Sequence, residues 1–478
     1  MLNYARVTPA DIEKLRQIIP ADRFFYPPTK HYDHDQFNYK RSLPDVELQP
    51  VSNEEVSAIM RYANKRMIPV TVRGNATGLM GANISVDHGI ALDMIKMNKV
   101  LEYDPDSLTM TVQAGIRVRD IAEYLADQPF IYEPAPAMKW AAIGGNVSTN
   151  AGGMKAIKYG TTREHIRGLT TILADGTKLH CGHKTVKNSS GYDVKDLIIG
   201  SEGTLAVITE VVLRLIPRPQ FEKTMLLSFP EIATAIKSVP KVFAAGLTPT
   251  SVEYFSQEDI EKWQEYSGKE FPVKDGKGYL LVSFDSNNKQ NVEEELSEVL
   301  EVAKKNQLIK SLVLNSGDPD AQAVWDARSE FETAIQKTTT KMDEADIVVP
   351  IDKIPMVLEQ VRKVAKKEQI RLPNFGHAGD GNLHIYICCD NYSDEEFGAK
   401  KERIFKALYK AAKAYSGEMS GEHGIGYARK DYFEDFYGTD YVALMSRIKQ
   451  AFDPNLILNP DKIFPLRLFH KDQELVEN

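Results

Sequence analysis

Two short stretches gather side chains that can do chemistry. GHAGDGNLH (residues 376–384) sets His377 and His384 among three glycines and Asp380, and it runs into the apolar tail IYICC. GEHG (421–424) supplies Glu422 and His423. Two imidazoles and a carboxylate form a donor set for a divalent metal such as Zn2+ or Fe2+, with positions left for water or substrate. A histidine in a glycine turn also has a plainer role as a hydrogen-bonded loop residue, and spacing alone does not choose between the two. For both imidazoles to meet, the chain must fold back at Gly379 or Gly381. That puts His377 on a loop and His384 on the strand that follows.

A second kind of chemistry belongs to three glycine turns. RGNATGLMGA (73–82) follows the strand IPVTVR, IGGNVSTNAGG (143–153) carries two Gly-Gly pairs around Ser148, Thr149 and Asn150, and GSEGTL (200–205) precedes a long β-branched strand. Backbone N–H groups in such turns converge on anions, and glycine lets a phosphate approach closely. The first turn has neither the Gly-Lys-Ser/Thr of a Walker loop nor the G-x-G-x-x-G of a dinucleotide turn. Taken alone it is equally a tight structural turn. Three of them within residues 73–205 point to one extended phosphate-bearing ligand touched repeatedly.

The elements that must position these groups follow from periodicity. A capped helix is expected over 8–19, then a polar connector to about residue 45. After it come a short strand at 46–51, a capped helix at 52–66, and strands at 68–73, 89–93, 108–113 and 170–174, with a helix at 118–126. The stretch 197–216 reads as a turn and a strand, and PRPQ from Pro217 breaks the pattern. Beyond it, strands near 223–228 and 278–284 alternate with helices near 230–244 and 290–306. An apparent second copy follows, with a strand from 311, a helix at 319–337, a strand from 346 and a helix at 354–368. The class is α+β.

At 478 residues the chain is too long for one ordinary core. Its net charge of -8 argues against a general nucleic-acid binder. There is no signal-like start and no apolar run long enough to span a membrane, so the chain reads as cytoplasmic. Cys181, Cys388 and Cys389 form neither a CxxC pair nor an iron–sulfur set, so any one-electron relay lies in a partner.

The stretches RGNATGL, PAPAMKWAAIGGNVSTNAGG (134–153), KYG (158–160) and GSEGTLAVITE (200–210) together resemble the FAD-binding domain of the vanillyl-alcohol oxidase (PCMH-type FAD-binding) superfamily. Within it, the chain is most similar to the FAD-linked D-lactate dehydrogenase and glycolate oxidase large-subunit group, over roughly residues 40 to 465. The resemblance implies a two-lobed FAD-binding domain at 47–218 after an N-terminal segment at 1–46. It also implies an α+β substrate (cap) domain with a central antiparallel sheet at 219–428 and a C-terminal segment at 429–478 that returns to the flavin.

By motif position, Arg73, Gly74, Asn75, Thr77, Gly78 and Leu79 would hold the pyrophosphate. Pro136, Gly144, Gly145, Ser148, Asn150, Ala151, Gly152 and Tyr159 would lie along the flavin, with Glu202, Gly203, Ile208 and Asn459 completing the cofactor site. Ala135 stands where relatives commonly have Asp. No histidine occurs in 73–82, where relatives with covalent flavin carry one, so the implied FAD is non-covalent. The resemblance makes His377, His384 and Glu422 the metal ligands (Zn2+ or Fe2+, with Mn2+ an alternative) and His423 the catalytic base. Asp380 becomes a brace for the loop or a ligand, and Arg328, in AVWDARSE (323–330), the partner of the substrate carboxylate.

The implied reaction is oxidation of a 2-hydroxy acid, D-lactate first, with electrons passed to an electron-transferring flavoprotein. Glycolate or D-2-hydroxyglutarate, with an iron–sulfur subunit or a quinone as acceptor, is the alternative. A metal-dependent hydrolase with merely structural glycine turns is the reading from a different class, and a visible spectrum separates it from a flavoprotein.

Overall fold

The computed structural model describes residues 4–29, 33–35, 40–134, 138–315 and 317–465. The chain divides into two compact units that are discontinuous in sequence. One comprises Met1–Gly153, Thr161–Pro217 and Glu422–Asn478, and the other Met154–Gly160 and Arg218–Gly421.

The first unit is built on two sheets. In the smaller, the strands run in the order Phe24–Phe25, Val46–Leu48, Ile90–Asp93, Val70–Arg73, with the last three parallel. The helix Asn53–Arg66 forms for local reasons. Ser52 caps it by accepting from the Glu55 N–H, acids occupy its first turn and bases its last, and Val56, Ile59, Met60 and Ala63 bury one stripe. The N-terminal helix spans Pro9–Leu15 with a capping box from Thr8 and Asp11, shorter than the expected 8–19. The C-terminal segment joins this unit directly. Val70 donates to Ile457 O at 2.8 Å, and Asn459 N donates to Val70 O at 2.7 Å. Lys449 anchors the same return from a buried position, with Nζ on Asp453, Thr204 O and Leu458 O at 2.6–2.8 Å. The larger sheet is wholly antiparallel, in the order Val100–Asp104, Thr109–Gln113, Val207–Arg214, Ile166–Ile172, Lys178–Gly182.

The second unit has the central antiparallel sheet that the resemblance implies. Its seven strands run Lys310–Leu314, Phe221–Phe229, Gly278–Ser286, Ser251–Ser256, Asn374–His377, Asn382–Cys389, Lys341–Val348. The apparent second copy is therefore not a separate sheet, because its strands join the first set in one. Phe255, Trp263, Phe271, Tyr279, Phe331, Phe375 and Tyr386 pack into its aromatic core. Each such burial is worth roughly 1.5–3 kcal/mol of apolar transfer. No helix among the described residues is long and apolar enough to cross a membrane. All three cysteines are buried and unpaired with one another.

Candidate active site

The histidine motif folds as a hairpin. His377 closes the strand Asn374–His377 and His384 lies in Asn382–Cys389, with His377 opposite Asn382 and Phe375 opposite His384. His377 is thus on a strand, not on the expected loop, because pairing with Ser251–Ser256 on its other side continues the ladder through it. The turn between the strands demands glycine. Gly381 has φ +92°, and a Cβ there would sit 1.9 Å from Val349 O. Asp380 braces this turn by accepting the Asn382 N–H at 3.2 Å.

Directly opposed residues share a sheet face, and so do residues two apart. Phe375, His377 and His384 therefore share one face, and the imidazole centroids lie 5.2 Å apart. The same face holds the carboxylates. Glu253 opposes His377, and its Oε1 lies 2.8 Å from His377 Nδ1. Glu344 Oε1 lies 2.9 Å from His384 Nδ1. Both carboxylates are essentially inaccessible, at 0% and 1% exposure. Burial alone would push the Glu253 carboxyl up, but His377 and Arg328 beside it hold it below its ordinary value.

Arg328 stands beside this pair. It comes from the helix Pro319–Gln336, lies over the Phe375 ring at 5.0 Å, and donates Nε to Glu253 Oε2 at 2.8 Å. Its Nε and Nη2 both reach the same buried carboxylate oxygen, Glu253 Oε2. Asp346 completes the cluster. It accepts from Asn382 Nδ2 at 2.6 Å, Ser420 Oγ at 2.8 Å and Gly421 N at 3.1 Å, which fastens the start of the GEHG loop to the His384 strand. A Cβ at Gly421 would meet Asn382 Nδ2 at 2.4 Å.

Glu253, Glu344 and Asp346 escaped sequence reasoning. The available signal was charge at buried strand positions, in SVEYFS (251–256) and DEAD (343–346).

In the first unit the three glycine turns lie together. A Cβ on Gly74 would stand 2.9 Å from Ala142 Cβ, and Asn75 donates its side-chain N–H to Trp140 O. Gly200 N donates to Val147 O at 3.0 Å and Glu202 N to Ser148 O at 2.7 Å. The second turn is mostly the helix Ile143–Thr149, which its glycines had hidden in the sequence. Arg73 ends its strand and is buried, while Thr77 and Leu79 sit part-exposed in the loop. Gly78 and Gly145 are exposed, and a Cβ on either would meet no protein atom within 4 Å. Gly144 is held against Ala114, whose O accepts its N–H at 2.8 Å. Pro136 lies outside the described residues.

Several residues expected on the cofactor turn their side chains to protein. Asn150, left-handed at φ 53°, accepts from Arg163 N and Thr161 Oγ1, and Ser148 Oγ donates to Gly144 O. Ala151 O accepts from Thr162, and Ile208 is buried in the core of the larger sheet. Tyr159 belongs to the second unit, where its hydroxyl donates to Asp285 at 2.7 Å. Glu202 accepts the Ile425 and Gly426 N–H groups at 2.8 and 2.7 Å, and Asn459 Nδ2 donates to Ala82 O and Glu202 O. Burial pushes the Glu202 carboxyl up to about 7 against the pull of those two N–H donors. A Cβ at Gly203 would come no nearer than 3.7 Å to Asn459. A Cβ at Gly152 would lie 3.2 Å from Glu422 Oε2, and His423 Nε2 is 3.8 Å from Glu422 Oε1.

Residues 44–182 match the family described as "FAD binding domain", and residues 218–463 match "FAD linked oxidases, C-terminal domain". The chain is 36% identical over 471 residues to a D-lactate dehydrogenase of Anaerostipes hadrus, covering 96% of this chain and 98% of that protein. It is 32% identical to "Glycolate oxidase subunit GlcD" of Bacillus subtilis, covering 91% and 92%. A solved structure of p-cresol methylhydroxylase with substrate bound shares the fold at TM-score 0.80 and 16% identity, covering 96% of this chain and 98% of that one.

Proposed function

This chain belongs to the family of FAD-linked oxidases, and from that premise we propose that it is a dehydrogenase of a 2-hydroxy acid, D-lactate first, assisted by a divalent metal. The observation that carries the metal is the pair of carboxylate-held imidazoles. With Nδ1 of His377 on Glu253 and Nδ1 of His384 on Glu344, the tautomer that donates to those carboxylates directs Nε2 to a ligand. By its place in the GEHG motif Glu422 is the third ligand of the proposed set, and it follows directly in sequence on Gly421. A mixed nitrogen and oxygen donor set suits Zn2+, Fe2+ or Mn2+.

The cradle for FAD is the group of glycine turns. The missing Cβ at Gly74 lets Ala142 pack against the first turn, and Gly78 and Gly145 keep the surface bare where a side chain would intrude. FAD would be held there without a covalent link, since residues 73–82 hold no histidine.

When bound, FAD supplies two-electron acceptance, and the metal supplies charge stabilisation at the substrate hydroxyl oxygen. The chain's own residues do the rest. Glu253 and Glu344 fix the two imidazoles in one tautomer and orientation. An imidazole nitrogen of His423 takes the hydroxyl proton, the general-base role that suits histidine. Arg328 holds Glu253 ionised, so its influence on substrate passes through His377. With three cysteines and no cluster set in the sequence, a reduced flavin would need a partner as acceptor, and an electron-transferring flavoprotein is the proposed one.

The hydrolase reading is set aside, because residues 44–182, which include two of the three glycine turns, match an FAD-binding domain. The test is anaerobic titration of the purified flavoprotein with D- and L-lactate, glycolate and D-2-hydroxyglutarate. Bleaching of the flavin band near roughly 450 nm by D-lactate in preference to the others is expected. A flavin that none of them bleaches refutes the assignment.

A further inference from the structure

Glu202 combines three features that rarely coincide. It is not glycine, yet its φ is +51°; it is 5% exposed; and each of its polar groups ties down a different segment. Left-handed backbone at a non-glycine residue is disfavoured and persists where the surroundings over-determine it. Here the surroundings are specific. The Glu202 N–H donates to Ser148 O in the second glycine element, and its carbonyl accepts from Asn459 Nδ2 in the C-terminal return. Its carboxylate takes the consecutive N–H groups of Ile425 and Gly426, one per oxygen.

The turn these N–H groups belong to follows directly on Glu422 and His423, and it has little freedom to move. A Cβ on Gly424 would lie 3.0 Å from Glu202 Cδ, and one on Gly426 would lie 2.1 Å from Met80 O. Met80, in the first glycine loop, accepts the Tyr427 and Ala428 N–H groups at 2.8 and 3.0 Å. Residues 424–428 are therefore clamped between two of the glycine loops, with one Glu202 carboxylate oxygen on each of the Ile425 and Gly426 amides.

We infer that Glu202 is a positioning residue for the reaction: its two-oxygen grip on Ile425 and Gly426 sets the position of Glu422 and His423 relative to the flavin cradle. The chemistry is specific to a carboxylate. Glutamine offers one acceptor oxygen and turns an N–H2 toward the second amide, leaving a buried donor opposed by a donor. Aspartate is one methylene too short to reach both amides without moving the backbone. The catalytic part of this inference rests on the function proposed above; the clamp does not.

The test compares wild type with Glu202→Gln, and with Glu202→Asp as the conservative control, all as FAD-loaded full chains. Three quantities are read: FAD content, hydrogen exchange of the peptide covering 422–428, and anaerobic flavin reduction by D-lactate across substrate concentration and pH. Expected in E202Q are retained FAD, faster exchange in that peptide, and a limiting reduction rate lower by roughly 10- to 100-fold, the usual span for orienting groups behind a ligand. Substrate Kd should change far less, and E202D should lie between wild type and E202Q. A wild-type reduction rate in E202Q overturns the inference. So does joint loss of FAD, substrate binding and fold, which assigns Glu202 to architecture alone. If no 2-hydroxy acid reduces the wild-type flavin, the proposed function fails, and the exchange data still decide the clamp: unchanged protection in E202Q refutes it.

Discussion

Replacing Glu253 with alanine leaves the Arg328 guanidinium, itself 9% exposed, without the carboxylate that neutralises it. Removing one partner of a buried ion pair destabilises by about 3–5 kcal/mol. In a unit of roughly 200 residues each kcal/mol lowers Tm by about 2–4 °C, so a drop of roughly 6–20 °C is expected. Arg328→Met alone should show a comparable loss, because it leaves Glu253 buried with only His377. The double variant E253A/R328M should recover much of the damage, since neither charge then remains unpaired. The assay is thermal unfolding at fixed saturating FAD, so that cofactor linkage does not differ between variants. The milder Glu253→Gln keeps the volume, and it should weaken metal binding by roughly 10- to 100-fold while the protein still folds. Two results refute the reasoning: E253A within about 1 kcal/mol of wild type, or strict additivity of the two single changes.

Two further expectations concern other regions. Gly145→Ala adds a methyl where no protein atom lies within 4 Å. The change should leave stability within about 0.5–1 kcal/mol of wild type yet lower FAD affinity, read by flavin retention on gel filtration. Undiminished affinity places the cradle elsewhere. Burial pushes Asp259, the capping acid of the helix Gln257–Ser267, up to about 7, against the opposing hydrogen bonds from Ser256. With a folded value above the unfolded one, the stabilising contribution is complete below about pH 4 and is lost as pH rises through about 7. Asp259→Asn should erase up to about 4 kcal/mol of that pH dependence, measured by urea unfolding between pH 4 and 8.

Much of the site was legible because its chemistry is local. The glycine turns and the GHAGDGNLH and GEHG motifs announce themselves by composition, and the strands around them follow from alternating or β-branched runs. What remained hidden depends on distant pairing. Glu253 is 124 residues from His377 and Glu344 is 40 from His384, so only strand register brings them together. The ladder also converts His377 from loop to strand, since its glycine neighbours signal a turn that begins one residue later. The helix Ile143–Thr149 lacks an apolar period and contains two glycines, yet Ile143 and Val147 bury against the larger sheet and outweigh propensity. The resemblance assigns Glu202 to the cofactor site through the GSEGTL motif. The two amides its carboxylate accepts from lie 223 and 224 residues away and are not visible from the motif.

The central claim, metal-assisted oxidation of a 2-hydroxy acid by bound flavin, is tested most directly by anaerobic stopped-flow reduction with D-lactate. Wild type and His384→Ala are compared as purified, after chelator treatment, and after adding back Zn2+, Mn2+ or Fe2+. Wild type is expected to reduce its flavin, to slow after chelation and to recover with one of the metals, whereas His384→Ala should stay slow in every condition while retaining FAD. Full reduction by His384→Ala after chelation contradicts the assignment.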